Sequence, residues 1–118
     1  MSYTHMPGHD MLRIYEDVVD RCTDQHWVSV IDGSVPDSFQ QGFPEQIAFA
    51  IIDMNHPAQE SGALLMVLPK LSNGGFMVFD DYGWCGYSAQ KRALEPIAAE
   101  HGCTILELPT GQGLLLKH

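Results

Sequence analysis

Ile47-Ala48-Phe49-Ala50-Ile51-Ile52 is an unbroken apolar run bounded by Gln46 and Asp53. A strand with one wet face alternates apolar and polar residues, so an uninterrupted run of this length predicts a strand covered on both faces by helices. Downstream, Pro57 opens a helix behind Asn55 or His56, with Leu64, Val67, Leu68 and Leu71 as its apolar stripe. Pro69 lies inside that stripe and should bend the last turn, and Asn73-Gly74-Gly75 ends it. Phe76 to Phe79 is a second short apolar strand, stopped by Asp80-Asp81. Ala89, Ala93 and Ile97 lie four apart on a further helix closing at Gly102, with Pro96 implying a kink or an early end. Thr104 to Leu108 and Leu114 to Lys117 read as two strands joined by a turn at Pro109 to Gly113.

Upstream, Met11, Ile14, Tyr15, Val18, Val19 and Cys22 recur at the three-and-four spacing of one helix face, behind Asp10 as a candidate N-cap. Trp27 to Ile31 is β-branched and aromatic, ends at Asp32-Gly33-Ser34, and predicts a strand. A short helix near Pro36 to Gln41 comes next. Strands and helices alternate, so the expected fold is α/β: a mostly parallel sheet, helices on both faces and a C-terminal antiparallel hairpin, within a single domain over 1–118.

The chain of 118 residues has 6 Lys and Arg against 15 Asp and Glu, a formal charge of −9. That balance opposes binding to nucleic acid or to an anionic membrane, both of which need a basic footprint. No apolar run reaches the length of a membrane span, and Met1 to His5 has no signal-peptide pattern, so the expected compartment is the cytoplasm. Cys22, Cys85 and Cys103 are widely spaced and are read as reduced thiols.

In a parallel α/β sheet the ligand crevice lies beyond the carboxyl ends of the strands. Asp53 comes directly after one predicted strand there, and Asp80 and Asp81 after the next. Acids on neighbouring strand tips can bind one side of a hard cation such as Mg²⁺, leaving positions open for substrate or water. Strand-end acids also serve simply as caps for the next helix or turn. His56 is a candidate general base beside Asp53, or a helix cap. His5, His9 and Asp10 form a weaker metal candidate, because Pro7-Gly8 breaks the geometry that would align the imidazoles. Tyr82, Trp84 and Tyr87 suit an aromatic substrate wall or the packing of a loop on the core. Cys85 has no evident partner base.

Ile47 to Asn55, Leu68 to Trp84 and Leu108-Pro109-Thr110-Gly111-Gln112-Gly113-Leu114 together resemble the macrocin O-methyltransferase family of class I S-adenosylmethionine-dependent methyltransferases. The similarity runs from about Tyr15 to the C-terminus, with Gly-Gly before a strand and Asp-Asp-Tyr-Gly after it as the most specific part. The resemblance implies a Rossmann-like sheet of order three, two, one, four, five, seven, six. It also implies that Asp53, Asp80 and Asp81 bind Mg²⁺, which orients the substrate hydroxyl, and that Gly33-Ser34 matches a turn near the cofactor adenine. Two departures accompany it. Asn55 stands where relatives often carry a further acid. The family's Gly-x-Gly-x-Gly loop and first two strands have no counterpart before Asp10, so the match is to a C-terminal half. The lone Gly111-Gln112-Gly113 precedes no helix and is not a cofactor loop.

Two function classes are compatible with these residues. One is a non-catalytic or repurposed binding protein that keeps the acids but not S-adenosylmethionine, and loss of the glycine loop favours it. The other is a Mg²⁺-dependent O-methyltransferase acting on an unknown small molecule, its cofactor site completed by oligomerisation or by another chain. In either, the edge of the strand Ile47 to Ile52 should be covered, by the strand Trp27 to Ile31 or by a second copy in a homo-oligomer.

Overall fold

The computed structural model describes residues 8–83 and 88–118, and the side chains of these apart from 8–12 and 88. They form two compact units, Met1–Ser34 and Val35–His118. In the first, α1 spans Gly8–Cys22 and carries an Asp17–Arg21 ion pair one helical turn apart. Ile14, Tyr15 and Cys22 are half-buried on it.

The expected strand at Trp27 to Ile31 does not form: the stretch is irregular, and Trp27 is 74% exposed. β-propensity alone does not make a strand, because extended backbone is stable only when its amides and carbonyls pair with a neighbour. The sheet holds four strands, all from the second unit, so the edge of Ile47 to Ile52 is not covered by this stretch.

The second unit opens with a 3₁₀ turn at Asp37–Gln41. It continues through β1 (Ile47–Ile52), α2 (Pro57–Val67), a 3₁₀ turn (Leu68–Lys70), β2 (Leu71–Phe79), α3 (Ser88–Glu100), β3 (Ile105–Glu107) and β4 (Gly113–Leu116). The sheet order is β1-β2-β4-β3, which is the four, five, seven, six expected for the last strands. β1 and β2 are parallel, while β2–β4 and β3–β4 are antiparallel. Only one of the three pairings is therefore parallel, because β4 inserts between β2 and β3 instead of extending the sheet at its edge.

β2 starts five residues earlier than its apolar run suggests. Pro69 tightens the end of α2 into a 3₁₀ turn, and pairing begins at once with Leu71 opposite Ile47. The register shift between Ile47 and Phe49 accommodates Asn73-Gly74-Gly75 inside the strand. A Cβ on Gly75 would lie 2.8 Å from the Ser72 carbonyl oxygen and 2.9 Å from that of Ala48, so only glycine permits this approach. Lys117 closes the region: its backbone exchanges hydrogen bonds with Gly74 and Gly75, and its Nζ donates to the carbonyls of Leu68 at 2.9 Å and Leu71 at 2.7 Å.

α3 runs through Pro96 to Glu100 without ending early. Pro96 is exposed, where water can serve the carbonyl that its ring leaves unbonded. The buried stripe is Gln90, Leu94 and Ala98, one position on from the expected Ala89, Ala93 and Ile97. The apolar members of that stripe, Leu94 and Ala98, join Ala63, Leu64 and Val67 of α2 and Ile52, Met77, Phe79, Ile105 and Leu115 of the sheet in one core.

Alternation places Phe49, Ile51, Phe76, Leu106 and Leu116 on the opposite face of the sheet. All five are exposed, Ile51 and Leu106 at 58% each. Within the second unit β1 is thus covered on one face, where α2 and α3 pack side by side. Its aromatic Phe49 packs against Phe76 with ring centres 4.9 Å apart and the planes tilted by 51°. No helix among the described residues is long and apolar enough to cross a membrane.

Candidate active site at the strand tips

Parallel pairing of β1 and β2 brings their carboxyl ends level. The ladder continues one residue past the strands, where the Asp80 amide donates to the Ile52 carbonyl at 3.0 Å. Asp53 is the residue after Ile52, and Asp81 the residue after Asp80, so three carboxylates converge where the strands end. One oxygen from each of Asp53, Asp80 and Asp81 lies within 4.8 Å of the others. This is the grouping expected from the sequence.

Crowding like charges costs free energy unless protons or a cation relieve it. Burial and then the Asp80 charge push the Asp53 carboxyl above the usual carboxylate range, helped by a hydrogen bond between the two side chains. Burial, followed by the charges of Asp80 and Asp53, raises Asp81 likewise. An acidic group with its oxygens this close, partly shielded and hydrogen-bonded on one side, is a donor set that fits a hard divalent cation.

Two further residues complete the surroundings, and neither was among the sequence candidates. Gln112 donates from Nε2 to Oδ1 of Asp80 at 3.1 Å. The Gly111-Gln112-Gly113 turn therefore serves to lay an amide on the acid, not to cradle a cofactor. A Cβ on Gly113 would fall 2.7 Å from the Tyr82 ring, which explains the glycine on that side. Glu60 is the second residue: it is 2% exposed in the first turn of α2, and its Oε2 has no hydrogen-bond partner among the described residues. Burial, then the charges of Asp81 and Asp53, lift its carboxyl to about 7. Its sequence signal was an acid four residues before Leu64, on the apolar stripe itself.

The remaining candidates divide. His56 is exposed and caps α2, its Nδ1 accepting from the Gln59 amide at 3.4 Å. Asn55 takes the left-handed conformation, φ 54°, with its Oδ1 buried and unpartnered among the described residues. Tyr82 is core and not a substrate wall: it is 1% exposed and donates to Glu95 at 2.9 Å. Burial and that bond raise its phenol far above the ordinary value. Trp84, Cys85 and Tyr87, like His5 and the side chains of His9 and Asp10, lie outside the described residues. Gly33 and Ser34 are exposed at the end of the first unit. Cys22 and Cys103 are free thiols.

Beside the acids, a cavity of about 300 Å³ is lined by Asp53 together with Val35, Phe39, Ile51, Ile52, Met54 and Ala63. The site thus joins a carboxylate cluster to an apolar hollow. Neither strand-to-helix connection, 53–56 or 80–87, carries a Gly-x-Gly.

A methyltransferase-domain family model matches residues 4–82. No curated protein matches the chain. Among solved structures, an apo form of CalS11, a TDP-rhamnose 3'-O-methyltransferase of calicheamicin biosynthesis, is similar at 17% identity and TM-score 0.69, covering 98% of this chain and 55% of its own. A second CalS11 structure, a calicheamicin methyltransferase, is similar at 19% identity and TM-score 0.66, covering 94% and 48%. The chain spans about half the length of these structures.

Proposed function

As a member of the methyltransferase-domain family that matches residues 4–82, this chain, we propose, supplies the acceptor side of an O-methyl-transfer centre. The convergence of Asp53, Asp80 and Asp81 to within 4.8 Å carries the reading, because a hydroxyl acceptor needs a place to be oriented and to lose its proton. The family uses S-adenosylmethionine, and since neither 53–56 nor 80–87 carries a Gly-x-Gly, the methyl donor in this reading is held by residues outside the strand-tip site. By itself the chain binds the acceptor side only, and methyl transfer requires a complementary segment or chain.

Asp53, Asp80 and Asp81 would hold Mg²⁺. When bound, such a cation supplies Lewis acidity and a fixed point for the acceptor oxygen. Gln112 holds Asp80 in place through its amide. Asp53, the most exposed acid of the three, accepts the proton of the acceptor hydroxyl on its free carboxylate oxygen. His56 contributes through its cap, its Nδ1 accepting from the Gln59 amide at the start of α2, which leaves its other ring nitrogen to carry the proton as a donor. The apolar hollow next to Asp53 suits a flat or aliphatic portion of the bound molecules. The acceptor class favoured is a sugar hydroxyl, the class named for CalS11.

Calorimetry tests the division of labour. S-adenosylmethionine titrated into the chain alone is expected to give no saturable heat, and saturable binding at micromolar levels would refute the assignment of the donor to residues elsewhere. Mn²⁺, used as a paramagnetic stand-in for Mg²⁺, is expected to bind one site that Asp80→Asn abolishes. Undiminished Mn²⁺ binding by that variant would refute the acid triad as the centre.

A further inference from the structure

Glu60 and Asn55 pose one problem twice. Each buries a side-chain oxygen, Oε2 and Oδ1, that no donor among the described residues reaches. A buried acceptor left unpaired is costly, and such atoms in folded proteins mark a missing partner. Both belong to the same short span, Asn55 between Asp53 and α2 and Glu60 in the first turn of that helix. Glu60 is 2% exposed at the start of the helix that follows Asp53, near enough for the charges of Asp81 and Asp53 to act on it. Yet it is not among the atoms lying within 4.8 Å of one another, which come from Asp53, Asp80 and Asp81 alone.

With Glu60 ionised, a partner suited to both oxygens brings hydrogen-bond donors to a place already rich in negative charge. An anion brings none, and an apolar group brings none. A hydrated divalent cation meets the need, because every water in its shell turns its oxygen to the metal and its hydrogens outward. Mg²⁺ in particular sheds its waters reluctantly and keeps several beside one or two carboxylates.

We propose that Glu60 and Asn55 hold the water shell of a divalent cation seated on Asp53, Asp80 and Asp81, with Glu60 Oε2 and Asn55 Oδ1 each accepting a hydrogen bond from a metal-bound water. They are positioning residues: they touch the waters and not the cation. The proposal rests on the reading of the three acids as a cation centre. It gives the departure at Asn55 a purpose, since an amide oxygen accepts from water as a carboxylate does without adding a fourth close charge.

Mn²⁺ titrated into the full chain, with free ion counted by electron paramagnetic resonance, separates the two ideas. Glu60→Gln is expected to weaken Mn²⁺ binding by roughly tenfold, the effect typical of groups that orient metal-bound ligands. Its thermal midpoint in EDTA should equal or exceed that of the wild type. Asn55→Gly, which keeps the left-handed backbone and removes only the amide, is expected to weaken binding several-fold and provides the test if the Glu60 variant does not fold. Wild-type affinity in both variants overturns the role given to Glu60 and Asn55 while leaving the triad intact. Failure of the wild type itself to bind Mn²⁺ overturns the cation centre beneath it.

Discussion

At Glu60 the folded chain keeps an acid where water does not reach, and this sets its proton balance. Its carboxyl moves from 4.5 to about 7 on folding, so across that interval the native state holds a proton that the unfolded chain has released. The associated stabilisation is complete below pH 4.5 and is lost as pH rises through 7. Asp53 and Asp81, also raised, act in the same direction. Urea unfolding in EDTA is expected to show stability falling from pH 5 to pH 8, and Glu60→Gln should flatten that slope and gain about 1–3 kcal/mol at the upper end. A wild type that grows more stable over this range would contradict the account. Tyr82→Phe tests a different bond: losing the hydroxyl that donates to Glu95 should cost about 1 kcal/mol, read from the same urea curves. Asp53, Asp80 and Asp81 were legible in the sequence because each stands at the end of an apolar run, and parallel pairing brings such ends together. Glu60 and Gln112 were not, since one is separated from the acids by a helical turn and the other by a hairpin, and neither distance is written in residue spacing.

Among the elements, β2 depends most on a single missing atom. Gly75→Ala would press a methyl group against the carbonyl oxygens of Ser72 and Ala48, both main-chain and unable to turn aside. Differential scanning calorimetry is expected to show a loss of about 1–3 kcal/mol. Lys117→Met removes the ammonium that serves the carbonyls of Leu68 and Leu71, and should cost about 1–2 kcal/mol by the same measurement. The helices, β1 and the C-terminal hairpin were readable from period and turn residues, because those signals are local. The early start of β2 was hidden by Asn73-Gly74-Gly75, which alone looks like a turn and becomes strand only through pairing with β1. Trp27 to Ile31 shows the converse case, strand-forming residues that join no strand pairing.

Across the whole molecule, the sheet order matched the expected arrangement while the covering of the sheet did not. The order was implied by the family resemblance carried by Leu68 to Trp84 and Leu108 to Leu114. Covering depends on what packs against Phe49, Ile51, Phe76, Leu106 and Leu116, and a list of apolar residues does not name their neighbours. A contiguous apolar face of this kind, beside an edge strand, favours association. Sedimentation velocity is expected to show a weight-average mass that increases with concentration, and the double variant Phe49→Lys, Ile51→Lys should return it to that of a monomer. Concentration-independent sedimentation of the wild type as a monomer would count against a homo-oligomer built on this edge.

Lys117 pairs with Gly74 and Gly75, near the start of β2, whereas Asp80 and Asp81 lie beyond its other end. Cargo joined after His118, whether an affinity handle or a fluorescent reporter, would thus depart from the rim remote from the carboxylates. The opposite placement, an insertion at Thr110 or Gly111, would jostle the glutamine that steadies Asp80.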